Sequence, residues 1–209
     1  MEESRKGKSP GGAWDDQALT WQEVETEHLA EDQWIDFRRV KYRMPDGSEA
    51  APFYNYSRKD YVVIAARDTE GRFICVRQFR HGIRTCTTEF PAGGIEGEEG
   101  HDYALPSKST VSMEAALEAA RRELKEETGY VSDSWRHLIT IPSNATIADN
   151  YAYVFAAQDC RKAAEPDPDD TEFLGDVLLT EREIEGLIRQ GGFQQALHVM
   201  AFMMLKAGF

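Results

Sequence analysis

Alternating apolar and polar residues predict β-structure from Trp21 onward. The stretches WIDFRRVKYRM and EAAPFYNYSR flank the Pro-Asp-Gly sequence at residues 45–47, a pattern typical of two strands joined by a tight turn. The alternation changes phase within the earlier stretch. This change predicts a β-bulge near Arg38 and Arg39.

The central part of the chain predicts two further strands followed by a long loop. YVVIAA, at residues 61–66, is a continuous apolar run that favours a strand buried on both faces. FICVRQF follows it after a polar turn and predicts a second strand. TTEFPAGGIEGEEG is rich in glycine and predicts a structured loop, and HDYALPSKST predicts an excursion at the surface.

The period changes to that of a helix at Ser112, which is a suitable N-cap, and Gly129 is typical of a helix end. An apolar stripe at helical spacing comprises Met113, Leu117, Ala120 and Leu124. Strands are predicted at residues 135–141, 151–157 and 173–179. Two helices follow, the first opened by a capping box and ending at Gly-Gly, the second in ALHVMAFMMLK. This order predicts an α+β fold.

Composition and charge narrow the function classes. The 209 residues carry 37 acidic and 24 basic side chains, for a net charge of -13, which disfavours binding to nucleic acid and to anionic membranes. The three cysteines form no Cys-x-x-Cys pair and favour a reducing compartment, so we expect a cytoplasmic protein. Residues 1–18 are polar and predict a disordered leader without a signal peptide.

Three carboxylates mark the candidate chemistry. Glu123, Glu126 and Glu127 stand at i, i+3 and i+4, so a helix places them on one face, where like charges repel. Hard oxygen ligands in this arrangement suit Mg²⁺ or Mn²⁺. The alternative is a solvated acidic face with no ligand.

The segment around these glutamates resembles the Nudix box, Gly-x5-Glu-x7-Arg-Glu-U-x-Glu-Glu-x-Gly-U, where U is apolar. The half from Arg122 to Tyr130 matches it throughout, and Glu114 has the required distance from Arg122. The glycine of the first half matches Gly93, which five residues separate from Glu99. Because 22 residues lie between Glu99 and Arg122, a loop near residues 100–111 is inserted, and either Glu99 or Glu114 fills the first Glu position.

The resemblance implies a Nudix fold, an α/β/α sandwich with a mixed β-sheet, over residues 59–209, preceded by an N-terminal β-region over residues 19–58. It implies metal binding by Glu123, Glu126 and Glu127, with Arg122 holding the catalytic carboxylates in place.

Arg77-Gln78-Phe79-Arg80 and Glu89-Phe90-Pro91-Ala92-Gly93 are similar to the ADP-ribose pyrophosphatase branch of the family. This similarity implies that the Ala92 carbonyl is a metal ligand and that Arg80 and Glu89 serve substrate binding, with Arg80 on the diphosphate.

The same branch implies an adenine clamp and a loop base. Trp34 and Phe53 fall at or near the aromatic clamp positions, and Arg58 lies close to a substrate-binding arginine. The N-terminal strands of such relatives pair across a homodimer, which we expect here. Glu172 matches a loop glutamate that acts as general base, although Glu126 or a metal-bound hydroxide is an alternative.

The predicted function is metal-dependent hydrolysis of a nucleoside diphosphate sugar, with ADP-ribose, cleaved to AMP and ribose 5-phosphate, as the leading substrate. Alternatives are another nucleotide sugar, a dinucleotide, or a non-catalytic module that senses such a ligand. The intact Arg122, Glu123, Glu126 and Glu127 argue against a pure sensor. The loop from Pro142 to Thr146 departs from the branch's Ser-Pro-Gly pattern and leaves the sugar open.

Overall fold

A computed structural model describes residues 15–96, 111–168 and 171–209. The chain divides into an N-terminal unit, which contains the residues up to 58 together with 144–149, and a central unit with most of the remainder. Most of the predicted leader and the predicted excursion at 101–110 lie outside the described residues, as does Glu99. The end of the predicted leader, Asp16–Ala18, forms a short 3-10 helix.

The N-terminal unit contains a three-stranded antiparallel sheet, in the order β1 (Gln22–Glu31), β2 (Asp36–Arg43) and β3 (Glu49–Ser57). The sequence predicted two of these strands. It did not resolve β1, because that strand is exposed along almost its whole length and so has no apolar period. The pairing of β2 with β3 shifts register between Val40 and Tyr42. The pairing of β2 with β1 shifts register at Phe37 and Arg38, so irregularities lie on both sides of the bulge predicted near Arg38 and Arg39.

The central unit is built on a mixed sheet. Its strands are β4 (Tyr61–Asp68), β5 (Phe73–Arg80), β6 (Thr85–Glu89), β7 (Ala92–Gly94), β8 (Tyr130–Val131), β9 (Ser134–Pro142), β10 (Tyr151–Lys162) and β11 (Leu174–Leu179). The strand order is β11-β5-β4-β10-β8, and β6, β7 and β9 pair with β5, β4 and β10. The parallel pair β4–β10 lies at its centre. The segment predicted as a loop contains the end of β6 and the whole of β7. The two glycines and the short length of β7 conceal its strand pattern.

Three helices complete the described part of the central unit: α1 (Met113–Thr128), α2 (Glu181–Gln190) and α3 (Ala196–Lys206). The Ser112 hydroxyl accepts from the Ala115 N–H at 3.1 Å and begins α1 as predicted. Gly129 ends α1 with φ +71, and a Cβ there would lie 2.0 Å from the Ala164 carbonyl oxygen. The predicted capping box of Thr180 and Glu183 opens α2.

Two apolar clusters lie on opposite faces of this sheet. One joins Val62 and Ile64 to Ala120 and Leu124 of α1, and the other joins Val63 and Ala65 to residues of α2 and α3. Residues 62–66 are therefore buried on both faces, as the continuous apolar run predicted. The layers form the expected α/β/α sandwich. None of the helices in the described ranges has the length and apolarity required to span a bilayer.

Candidate active site

The acidic face of α1 is turned largely toward the protein interior. Glu123 is 6% exposed and Glu127 1% exposed, whereas Glu126 is only half-buried. Met113 was predicted to lie in the apolar stripe of α1, but its side chain is 45% exposed. The buried face of the helix consists largely of alanines together with Glu123 and Glu127. Burial of two carboxylates on one face is costly without a compensating charge. The alternative of a solvated acidic face is therefore wrong for Glu123 and Glu127.

Arg122 links two of the three carboxylates. Its guanidinium nitrogens lie 2.6 Å from Glu123 Oε1 and 2.7 Å from Glu126 Oε2. A third hydrogen bond of 3.1 Å joins the same guanidinium to the Gly94 carbonyl on β7. The arginine thus links both glutamates to the glycine-rich strand.

Strand β7 lies directly against the carboxylates. The Ala92 N–H donates to Glu127 Oε2 at 3.2 Å. A Cβ on Gly93 would lie 2.0 Å from the Glu123 carboxyl carbon, so only glycine leaves room for that carboxylate. The same addition at Gly94 would meet nothing within 4 Å. This contact gives a physical reason for the glycine of the box at position 93.

Burial and mutual repulsion perturb both buried carboxylates. Burial raises the pKa of Glu123 to about 7, opposed by Arg122 and reinforced by the charges of Glu172 and Glu126. Burial also raises the pKa of Glu127 well above its usual range, with Glu123 and Glu172 adding to the effect. The negative charge of Glu172 raises the pKa of both glutamates. This loop glutamate therefore lies close enough to Glu123 and Glu127 to interact with them electrostatically.

Arg80 and Glu89 form a second charged pair on adjacent strands. Arg80 Nε lies 2.8 Å from Glu89 Oε1, and the Glu89 side chain is fully buried. Burial raises the pKa of Glu89, and Arg80 opposes that rise. The second carboxylate oxygen of Glu89, Oε2, has no hydrogen-bond partner in the described part of the chain. The two predicted substrate-binding residues therefore contact each other.

His198 is a site-supporting residue that the sequence analysis missed. Its Nδ1 accepts from the Phe90 N–H at 3.1 Å. Burial lowers its pKa to about 3, with Arg80 contributing, so the imidazole stays neutral and keeps this acceptor. The Ile64 N–H fixes the next carbonyl, that of Pro91, at 2.9 Å. A lone histidine in the apolar sequence of α3 carried no signal for this contact.

The donor set fits a divalent cation bound largely by carboxylates. Among the residues that the structure describes, Glu127 is buried beside Glu123 and has no cationic hydrogen-bond partner, and a cation would neutralise the excess negative charge there. Across the described ranges, no group of three or more His, Cys, Asp or Glu side chains is arranged to hold a metal ion on its own. Mg²⁺ is suited to such an open site because it retains waters and takes substrate oxygens as further ligands.

Three further residues predicted to bind the substrate lie in the N-terminal unit. Trp34 lies between β1 and β2 and is 63% exposed. Phe53 packs edge-on against Trp21 and Tyr42, with ring centroids 5.4 and 5.6 Å apart. Arg58 follows β3 and is exposed. Within its own unit, Phe53 is thus part of an aromatic cluster and Trp34 is open to solvent.

The fold has three layers, and buried carboxylates of α1 lie against a glycine-rich strand, with an arginine bonded to both. These features are the ones that the resemblance to the Nudix box implied. The NUDIX domain family matches residues 57–191. The chain belongs to the Nudix family, and the predicted enzyme class, a Nudix hydrolase, is confirmed.

Individual relatives agree with this assignment. The ADP-ribose pyrophosphatase of Bacillus subtilis (strain 168) is 27% identical over 146 residues, 69% of this chain and 71% of the relative. The ADP-sugar pyrophosphatase of Mus musculus is 26% identical over 201 residues, covering 84% and 80%. A solved structure described as an ADP compounds hydrolase has a TM-score of 0.71 at 20% identity, over 90% of this chain and 92% of that one. This last likeness supports the fold.

Proposed function

We propose that this protein hydrolyses the diphosphate linkage of a nucleoside diphosphate sugar, with ADP-ribose, cleaved to AMP and ribose 5-phosphate, as its leading substrate. The observation that carries the proposal is the buried pair Glu123 and Glu127, within the region that matches the family. Arg122 contacts Glu123, and the charge of Glu172 acts on both carboxylates. The relatives named as ADP-ribose and ADP-sugar pyrophosphatases support the substrate class.

Nudix hydrolases generally depend on divalent metals, and we propose Mg²⁺ or Mn²⁺ for this protein. The ion would be held by four groups, namely the carboxylates of Glu123, Glu126 and Glu127 and the carbonyl of Ala92. When bound, a divalent ion neutralises diphosphate charge and lowers the pKa of coordinated water.

The remaining roles belong to the chain's own side chains. Arg122 orients Glu123 and Glu126 through its two short hydrogen bonds. Arg80 binds the diphosphate, positioned for this by its contact with the buried Glu89. Glu172 accepts the proton of the attacking water, and its loop position allows it to approach a bound substrate.

We further propose a homodimer formed through the N-terminal sheet. In that unit, large apolar side chains are exposed, namely Trp21, Val24, Leu29, Trp34 and Tyr54. Exposed apolar surface of this kind is typical of a protein–protein contact. The cysteines Cys75, Cys86 and Cys160 are all free, which agrees with a cytoplasmic location.

A substrate panel tests the proposed activity. The protein is incubated with Mg²⁺ and ADP-ribose, other nucleoside diphosphate sugars or dinucleotides, and a phosphatase then releases inorganic phosphate from any phosphomonoester product. We expect the highest kcat/KM for ADP-ribose, and we expect the Glu127→Gln variant to turn over ADP-ribose about 10³-fold more slowly than the wild type. Nucleotide binding without phosphate release from any substrate, with Mg²⁺ or Mn²⁺, would instead identify a sensing module.

A further inference from the structure

The amide between Glu89 and Phe90 lies where two parts of the candidate active site meet. Glu89, the last residue of β6, contacts Arg80 at 2.8 Å through its buried carboxylate. Two residues after Phe90, the N–H of Ala92 on β7 donates to Glu127 Oε2 at 3.2 Å. Because peptide planes are rigid, a rotation of this amide would displace the residues on both sides of it.

The strand that begins at Ala92 contacts the rest of the carboxylate site. Gly93 leaves the room that the Glu123 carboxylate occupies, and the Gly94 carbonyl accepts from Arg122 at 3.1 Å. The position of β7 therefore affects every group in this paragraph, and the amide before Phe90 controls how the chain enters that strand.

The N–H of this amide has its partner in α3. The Phe90 N–H donates to His198 Nδ1 at 3.1 Å, and both residues are buried. The carbonyl of the next residue, Pro91, accepts from the Ile64 N–H at 2.9 Å. A buried N–H without an acceptor is unfavourable, so loss of the imidazole nitrogen would favour a different orientation of the amide.

His198 completes a series of contacts between β6 and the segment that joins α2 to α3. The Thr88 N–H donates to the Gly192 carbonyl at 2.9 Å, and the Gln194 N–H donates to Thr87 Oγ1 at 3.2 Å. These bonds hold β6 as far as Thr88. The imidazole extends the same support by two residues, to the point where the chain leaves β6.

The imidazole is suited to this contact as a neutral acceptor. Burial lowers the pKa of His198 to about 3, and the charge of Arg80 adds to the effect. Nδ1 therefore keeps its lone pair, and the ring proton is on Nε2. Burial of an imidazole in the apolar sequence of α3 is costly, and the hydrogen bond to Phe90 offsets that cost.

We propose that His198 is a positioning residue of the candidate active site, which holds the Phe90 amide and so sets the positions of Glu89 and Ala92. This role rests on the proposed function, in which Ala92 binds the metal ion and Glu89 positions Arg80. The alternative is that His198 only satisfies a buried N–H and stabilises the fold. In that case its loss would change the melting temperature but not the affinity for metal.

Mn²⁺ binding to the metal-free, full-length protein, measured by calorimetry, separates these explanations without a substrate. His198→Leu fills the site without an acceptor and should raise the Kd for Mn²⁺ about tenfold or more. His198→Asn keeps an acceptor on Cγ, where Nδ1 is attached, and should stay within about threefold of the wild type. With saturating Mg²⁺, His198→Leu should also lower kcat/KM for ADP-ribose about tenfold, because Arg80 loses its fixed partner.

Phe202→Leu is the matched control. Phe202 is equally buried on α3, and its ring packs against Phe73. This variant should lower the melting temperature and leave the Kd and kcat/KM unchanged. If His198→Leu gives no cooperative melting transition, His198→Met replaces it, because methionine fills irregular space and has no nitrogen or oxygen acceptor.

The outcomes distinguish this role from the proposed function. An unchanged Mn²⁺ affinity in the leucine or methionine variant would overturn the role of His198, and so would equal losses in His198→Asn or Phe202→Leu. Absence of saturable Mn²⁺ binding to the wild type would overturn it together with the metal assignment. If the wild type hydrolyses no substrate but its Mn²⁺ affinity depends on His198 as expected, the proposed function fails and the positioning role is supported.

Discussion

The acidic face of α1 and the N-terminal sheet both differ from the usual pattern of burial in proteins. The first buries charged side chains, and the second exposes apolar ones. In the central unit, the carboxylates of Glu123 and Glu127 are almost fully buried. In the N-terminal sheet, Val40 is the only apolar side chain among residues 15–58 that is fully buried, while Trp21, Leu29 and others are exposed. Both arrangements are unfavourable for an isolated chain in water.

Each departure indicates a partner of matching chemistry. Buried carboxylates are stabilised by a cation, and exposed apolar side chains are stabilised by another protein surface. The two regions thus separate the proposed roles: chemistry at the charged interior of the central unit, and assembly at the apolar exterior of the N-terminal sheet. Substitutions that restore ordinary burial in either region test this separation.

The largest effect is expected when the buried charge is removed. Glu127→Gln should lower kcat by about 10³-fold, because loss of a metal ligand removes several kcal/mol of transition-state stabilisation. Glu123→Gln should act in the same direction. Glu118→Gln, on an exposed part of the same helix, should leave kcat unchanged. Initial rates at saturating Mg²⁺ measure this, and retention of activity within a few-fold would contradict the metal assignment.

Removal of the loop carboxylate should have the next largest effect. Glu172→Gln keeps the size of the side chain but cannot accept a proton, so kcat should fall about 10²-fold with little change in KM. The acidic limb of the pH–rate profile should also disappear. Glu165→Gln, an exposed acid on the same connection, is the control. A normal kcat with the acidic limb retained would leave Glu126 or a metal-bound hydroxide as the activating group.

The contact between Gly93 and Glu123 allows a test that leaves every charge in place. Gly93→Ala should lower kcat about 10- to 100-fold, because its Cβ must displace the Glu123 carboxylate from the position that Arg122 fixes. Gly94→Ala adds the same methyl group to the adjacent residue, where it meets nothing within 4 Å. Equal activities of the two variants would show that the position of Glu123 is not critical.

The sequence predicted the elements of the central unit whose patterns are local. The helix α1, its caps at Ser112 and Gly129, and the strand at residues 61–66 follow from apolar period and capping chemistry. The sequence did not predict β6, whose five residues show no apolar alternation, or β7, which has three residues of which two are glycine.

The candidate site shows the same limit. A helical period places Glu123, Glu126 and Glu127 on one face, but only the tertiary packing determines which of them are buried. The hydrogen bond between His198 and the Phe90 amide joins residues 108 positions apart, and no local pattern encodes it. The N-terminal sheet was predicted least well, since its exposed strand β1 lacks the burial that produces a pattern.

The apolar exterior of that sheet gives a prediction about assembly. Wild-type protein at micromolar concentration should be a dimer by light scattering. Val24→Lys combined with Leu29→Lys should raise the dimer dissociation constant about tenfold or more, because both exposed side chains lie on β1. Met203→Lys places the same charge at an exposed apolar position on α3 and should leave the dimer intact. A monomeric wild type would refute the proposed homodimer.

The smallest expected effect is a pH dependence of stability in the metal-free protein. The pKa of Glu123 is raised to about 7, above its ordinary value, so between these two pH values the folded state binds more protons than the unfolded state. Stability must then fall as pH rises through this interval. Within this interval a single proton changes the free energy of unfolding by at most about 1.4 kcal/mol per pH unit. Urea unfolding in EDTA from pH 5 to pH 8 measures this change in stability, with Glu123→Gln as the comparison.

The variant should lose less stability over this range. Mg²⁺ should stabilise the wild type more at pH 8 than at pH 6, because metal binding displaces protons. Identical slopes for the two proteins would show that Glu123 is already ionised in the folded protein, and that its burial needs no cation.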